Sequence, residues 1–223
     1  MPYAALHPDC DALTDPSADD LARLAANPTR PGLIVFSLRD ENLAGLAVLA
    51  GPLRVLKISG APRLRSLDGV ERLTELRELV VATPTGSAGS GRSIDVASFE
   101  PLERLERLER LVLHDVRPAD LDLAPVMRMT WLREVEISGV PEFTIEDYAR
   151  LAMALPTTQG RCLQPYVTIA GIGMCRRCRG QSVLLNGAAP RARRWVCPTC
   201  HPALLSRHVA RWEALTGRPY RAG

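Results

Sequence analysis

Lysine is almost absent from this chain: of its 28 basic residues only Lys57 is a lysine. That bias toward arginine, with abundant Ala and Pro, points to a GC-rich, bacterial genome and says nothing about mechanism. Aromatic residues are scarce at 4%, so a core must be assembled from aliphatic side chains. No apolar run approaches the roughly 18 residues that a membrane-crossing helix requires. The segment Met1-Pro-Tyr-Ala-Ala-Leu-His-Pro8 has neither the basic nor the apolar part of a secretory signal. A cytoplasmic location is the expectation. Catalytic signals are also lacking, because His7, His114, His201 and His208 have no recognisable nucleophile or carboxylate partner in sequence. The chain is expected not to be an enzyme.

The small net charge conceals two halves of opposite sign. From Arg161 onward there are eleven arginines against one acid, Glu213, a net of +10. Residues 1–160 carry 17 basic and 24 acidic groups, a net of −7. A length of 223 residues is enough for one elongated domain and a small appendage.

What is abundant is leucine at a fixed spacing. Leu53/Leu56/Ile58 defines an L-x-x-L-x-L unit, and four other segments repeat it: Leu33/Phe36/Leu38, Leu76/Leu79/Val81, Leu108/Leu111/Leu113 and Leu132/Val135/Ile137. Starts at 33, 53, 76, 108 and 132 give steps of 20, 23, 32 and 24 residues. Alternate residues of a strand face one side, so the fourth and sixth positions of each unit enter a shared core. One unit cannot bury such a face, whereas a stack can. Between the strands, Leu64, Leu67, Val70 and Leu73 recur at the three-residue step of a tight helical turn.

At this point residues 31–142 resemble the leucine-rich-repeat family, in its short repeats of about 22 residues. The resemblance implies an α/β solenoid with a short parallel strand ladder and helical turns. The family's Asn or Cys, three residues after the last strand leucine, is replaced here by Glu41, Ala61, Pro84, Val116 and Val140. An irregular solenoid without an inner polar ladder is therefore expected.

Flanking segments complete the domain plan. Residues 1–30 read as an N-terminal cap, with Ser17 and Asp20 opening a helix that ends near Asn27-Pro28. The acidic residues of this segment lack the spacing and glycine of a calcium loop and read as a solvated surface. The long step between the third and fourth units holds a Gly/Ser-rich surface loop, Thr83–Arg92. Its glycines 86, 89 and 91 match neither phosphate-binding spacing. The solenoid, 31–156, closes on a helix announced by Thr144 and Asp147, with Phe143 and Tyr148 placed as a hydrophobic staple and Pro156 as the stop. Residues 157–174 read as a linker with a short strand near Val167.

The last module, 175–223, carries the sharpest chemical signal. Cys175, Cys178, Cys197 and Cys200 form C-x2-C-x18-C-x2-C. Each C-x2-C offers two thiolates from one tight turn, which suits tetrahedral Zn²⁺. With a hairpin of Val183–Leu185 and Trp195–Val196 around Asn186-Gly187, the segment resembles a zinc ribbon. Four thiolates fill the coordination shell, so the zinc is expected to be structural. Redox use of one C-x2-C is the rival reading, without a thioredoxin-like unit around it. Cys10 and Cys162 are left over and expected reduced. A terminal helix over Pro202–Thr216, stopped by Gly217, places Leu205, Val209, Trp212 and Leu215 on one face.

The resemblance implies a non-catalytic protein-recognition surface on the concave side of the ladder. The outward positions of each unit are then Val35, Ser37 and Arg39; Val55, Lys57 and Ser59; Glu78, Val80 and Ala82; Arg110, Val112 and His114; Glu134, Glu136 and Ser138. Val55, Val80 and Val112 form an apolar stripe among charges, with Lys57, Arg110 and Glu134 beside it. The alternative partner is nucleic acid, held by Arg191, Arg193 and Arg194 with Trp195 as a stacking surface.

Overall fold

A computed structural model describes residues 8–83, 93–169, 173–188 and 194–220. The chain divides into two compact units, 1–140 and 141–223. The boundary precedes the helix that sequence reading gave to the solenoid, so that helix groups with the cysteine module.

The first unit is built on a six-stranded parallel sheet. Its strands are β1 (Cys10–Thr14), β2 (Gly32–Phe36), β3 (Val55–Ser59), β4 (Glu78–Ala82), β6 (Arg110–His114) and β8 (Glu134–Ser138), in that spatial order. A separate parallel pair, β5 (Ile94–Val96) and β7 (Val116–Pro118), flanks β6 in sequence. Helix α1 (Ala18–Ala26) follows β1, opened by the expected capping box of Ser17 and Asp20. A single turn, α2 (Ala124–Met127), precedes β8.

Register corrects the first repeat. Leu33 pairs with Leu56 and Val35 with Ile58, three residues away from the alignment on Leu53. Val35 is consequently a core residue with no exposed surface, not an outward one. Ser37 and Arg39 fall beyond the strand. The residues of β2 on the side opposite the core are Gly32, Ile34 and Phe36, of which Gly32 and Ile34 are buried. A strand inside the supposed N-terminal cap is the second correction, since β1 continues the ladder and pairs with β2 throughout. Strand starts at 10, 32, 55, 78, 110 and 134 give steps of 22, 23, 23, 32 and 24 residues. The corrected repeat is more regular than the one inferred.

Core positions repeat across the ladder. Leu33, Leu56, Leu79, Leu111 and Val135 form one buried row, and Val35, Ile58, Val81, Leu113 and Ile137 the next. Leucines at three-residue steps close the core from the other side through successive i→i+3 bonds. The amides of Leu102, Leu105 and Leu108 donate to the carbonyls of Phe99, Leu102 and Leu105. Fully burying each such side chain contributes about 1.5–3 kcal/mol.

As expected, the turn after the strands carries no polar ladder, and an apolar one stands there. Ala61, Val116 and Val140 are buried, and in the corrected register Leu38, also buried, takes the place of exposed Glu41. Pro84 lies outside the described residues. Backbone groups at this turn are satisfied without asparagine. Asp15, Ser37, Gly60, Asp115 and Gly139, each just past a strand, adopt left-handed φ. There the amides of Asp15, Ser37, Gly60 and Asp115 donate to carbonyls at the end of the neighbouring strand.

The second unit contains α3 (Ile145–Ala154), β9 (Tyr166–Thr168), β10 (Val183–Leu185), β11 (Trp195–Val196) and α4 (Pro202–Thr216). Helix α3 starts at the Thr144/Asp147 capping box, and the Phe143 and Tyr148 rings meet edge to face at 6.1 Å. The three strands form an antiparallel sheet in the order β11-β10-β9. Val183, Leu185, Ala188 and Val196 form its small core, with Tyr166, Leu204 and Leu205 packed against them. Helix α4 has the expected bounds and ends on left-handed Gly217. Within this unit α3 packs on α4, tied by an Arg211–Glu146 ion pair. None of the described helices is long and apolar enough to cross a membrane.

Candidate binding face and metal centre

The side of the ladder opposite the core presents three rows of side chains. Val55, Glu78, Arg110 and Glu134 stand in the first; Ile34, Lys57, Val80, Val112 and Glu136 in the second; Phe36, Ser59, Ala82, His114 and Ser138 in the third. Val80 and Val112 are direct neighbours. Val55 stands opposite Glu78 in the adjoining row, so the apolar centre is a pair, not a stripe of three.

The charges inferred around that centre are joined to one another. Lys57 Nζ lies 2.9 Å from Glu78 Oε1, Arg110 Nη1 lies 2.7 Å from the same oxygen, and Arg110 Nε donates to Glu134 Oε2 at 2.9 Å. Burial works against the Arg110 charge, but the hydrogen bond and charge of Glu134, then those of Glu78, raise its pKa. Pairs as exposed as Arg110–Glu134 contribute about 0–1 kcal/mol each. Their main effect is to hold four long side chains in fixed orientations beside Val80 and Val112.

His114 has no recognisable partner in sequence, and the fold supplies some. Its Nδ1 lies 2.8 Å from Ser138 Oγ in the next strand, and its Nε2 lies 3.5 Å from Asp115 Oδ2. That carboxylate oxygen accepts a 2.6 Å bond from Thr83 Oγ1. Ser, His and Asp therefore meet, but the ring is not hydrogen-bonded to the carboxylate that a base needs for orientation. The signal for this cluster was the register, since positions 114 and 138 are opposite each other only once β6 and β8 are paired.

In the second unit, Cys175, Cys178, Cys197 and Cys200 converge with all four sulfurs within 4.8 Å of one another. Cys178 and Cys197 are 3.4 Å apart and Cys175 and Cys200 3.8 Å. A tetrahedron of sulfurs at the zinc–thiolate distance of about 2.3 Å has edges of about 3.8 Å, so the four positions fit a metal ion. Each knuckle is shaped by its backbone. The Arg179 amide donates to the Cys175 carbonyl at 2.8 Å with Arg179 in the left-handed region, and the His201 amide donates to the Cys197 carbonyl at 2.9 Å.

Backbone amides of Cys178 and Arg177 lower the Cys175 thiol to about 6, and the Cys200 amide lowers Cys197. Contact with Cys178, then burial, pushes Cys200 up to about 12. Four thiols this close cannot all ionise without a cation among them. All described cysteines are free thiols; Cys10 and Cys162, far apart from each other in sequence, are buried and are not part of this cluster.

Of the residues considered for nucleic acid, Arg191 and Arg193 lie outside the described ones, as does most of the Gly/Ser-rich loop. Trp195 is half-buried in β11, its ring backed by Gly173, where a Cβ would lie 2.4 Å from Cζ3. The buried Nε of Arg194 has no hydrogen-bond partner among the described residues.

No family model matches the chain, and no curated protein does. Among solved structures it is similar to an internalin from Listeria monocytogenes, at 12% identity and a TM-score of 0.28. The match covers 64% of this chain and 54% of the internalin, so the chain spans about half the length of that structure.

Proposed function

We propose that this chain is a non-catalytic protein-interaction module that captures a partner on the open face of its strand ladder. Supporting this reading most strongly is the Val80–Val112 pair, framed by the fixed ion chain Lys57–Glu78–Arg110–Glu134. An apolar centre with a polar rim is a common construction of protein interfaces. The partner should carry a small apolar anchor for the valines and charged groups matching the Lys57-to-Glu134 sequence of signs. Val55 lies on the same face and contributes to its edge.

The cysteine module is proposed to hold one structural Zn²⁺ on Cys175, Cys178, Cys197 and Cys200. Thiolate-only ligation suits zinc over the hard cations, and four protein ligands leave no open position for substrate. Zinc with four thiolates is formally −2, and Arg176, Arg177 and Arg179 offset that charge.

The experiment is a matched pair of substitutions. Val80→Asp should abolish partner capture and leave the melting temperature nearly unchanged. Leu79→Asp, one residue away but facing the core, should unfold the unit by burying an unpaired charge. Intact capture by a folded Val80→Asp protein would move the binding face elsewhere.

A further inference from the structure

At the edge where the strands begin, the repeat aligns another set of side chains. Backbone bonds continue the ladder here: the Arg77 amide donates to Arg54, the Glu109 amide to Arg77 and the Arg133 amide to Glu109. Arg77, Glu109 and Arg133 therefore form one row, with Arg107 and Trp131 beside each other in the next. Together they border an open pocket of about 270 Å³.

Its electrostatics are uneven. Glu109 is shared between Arg77 at 2.6 Å and Arg133 at 3.1 Å, and Glu75 between Arg107 at 2.5 Å and Arg54 at 3.3 Å. The side chains of Arg77, Arg107 and Arg133 are 57%, 60% and 79% exposed, against 27% for Glu75 and 32% for Glu109. Guanidiniums thus face solvent while the carboxylates that position them are recessed. Each guanidinium has five N–H donors, and sharing one carboxylate between two of them leaves donors free for a second anion.

Trp131 adds a flat surface. Its Nε1 donates to the Leu105 carbonyl at 3.0 Å, which fixes the indole, yet the residue remains 37% exposed. Glu106 also borders the pocket, where it can accept from ligand hydroxyl or amino groups.

We infer that this rim binds a small anion bearing a planar ring, with a nucleoside phosphate as the fitting class. The ring stacks on Trp131, the phosphate groups lie against Arg77, Arg107 and Arg133, and Glu106 takes a donor of the nucleoside. Stacking and guanidinium–phosphate pairing are complementary, so neither half of the ligand should bind well by itself. The site is independent of the open face proposed for protein recognition.

The test is calorimetric titration of the full chain with ADP, with adenosine and with inorganic phosphate. ADP should bind saturably, and each fragment at least about tenfold more weakly, a difference of about 1.4 kcal/mol. Trp131→Ala and Arg133→Ala should each weaken ADP at least about tenfold, with Trp131→Phe retaining most of the affinity. Arg133 is so exposed that its removal leaves folding intact, which keeps the test decisive if Trp131→Ala is unstable. No saturable ADP binding, binding by phosphate as tight as by ADP, or affinity unchanged in Arg133→Ala would each overturn the proposal.

Discussion

Leu33 pairs with Leu56 across the parallel ladder, and this single register decides which face of β2 is buried. Val35 then lies beside Ile58 in the core, without exposed surface. Val35→Asp should destabilise the first unit by more than about 4 kcal/mol, the range of a buried unpaired charge. Chemical denaturation measures it. A loss under about 1 kcal/mol, as on a surface, would restore the alignment on Leu53.

Asp115 and Gly139 make a second register contact, at the left-handed column past the strands. A Cβ at position 139 would lie 1.9 Å from Asp115 Oδ1, and Gly139 has φ +85°. Gly139→Ala should therefore cost about 1–3 kcal/mol. Asp115→Ala in the same chain removes the carboxylate clash but leaves the position-115 amide nitrogen 2.8 Å from the new Cβ and the backbone strain at position 139, so the double variant should recover only part of the loss. Full recovery would show that the carboxylate contact alone operates.

His208 supplies a pH dependence in the second unit. Its Nε2 donates to the Pro165 carbonyl at 2.9 Å, and burial lowers its pKa below the ordinary 6.5. Between the lowered folded value and the unfolded value, the unfolded chain binds more protons. Stability from neutral His208 is thus complete above about pH 6.5 and declines as pH falls toward the folded value. Urea unfolding at pH 7.5 and 5.5 should show a larger loss for wild type than for His208→Gln. Identical losses would contradict this assignment.

Metal removal should separate the two units. Purified protein is expected to contain about one equivalent of zinc, and Cys197→Ser to lose it, because site formation in small zinc modules carries roughly 10–16 kcal/mol of folding free energy. A chelator should expose the segment around β10 and β11 to protease while residues 10–83 and 93–138 remain protected. A metal-free protein with a protease-resistant cysteine module would contradict a structural zinc.

Repeats two to five were legible because leucines 53, 76, 108 and 132 mark their first positions. The first repeat misled because Leu33/Phe36/Leu38 fits the same spacing by accident, while the true first position holds Arg30. The step of 20 residues, short of the 23 that follows, was the visible warning. Strand β1 escaped because Cys10-Asp-Ala-Leu-Thr14 places Asp11 in the row of Leu33, with only Leu13 marking the apolar face. The four thiols were legible from spacing alone, since each C-x2-C is local. The ion chain on the open face and the Arg-Trp rim were not, because both join residues 21–32 positions apart that only register brings together.

The most direct test of the open face as an interface is site-specific photo-crosslinking from position 80 in the full chain. A photoreactive residue at Val80 should yield a covalent adduct with the captured partner, and the same residue at Val48, exposed away from the ladder, should yield none. The adduct should also vanish when Arg110→Glu reverses the charge beside the valine pair. Adducts of equal yield from positions 48 and 80, or an adduct from 48 alone, would contradict recognition through the Val80–Val112 centre.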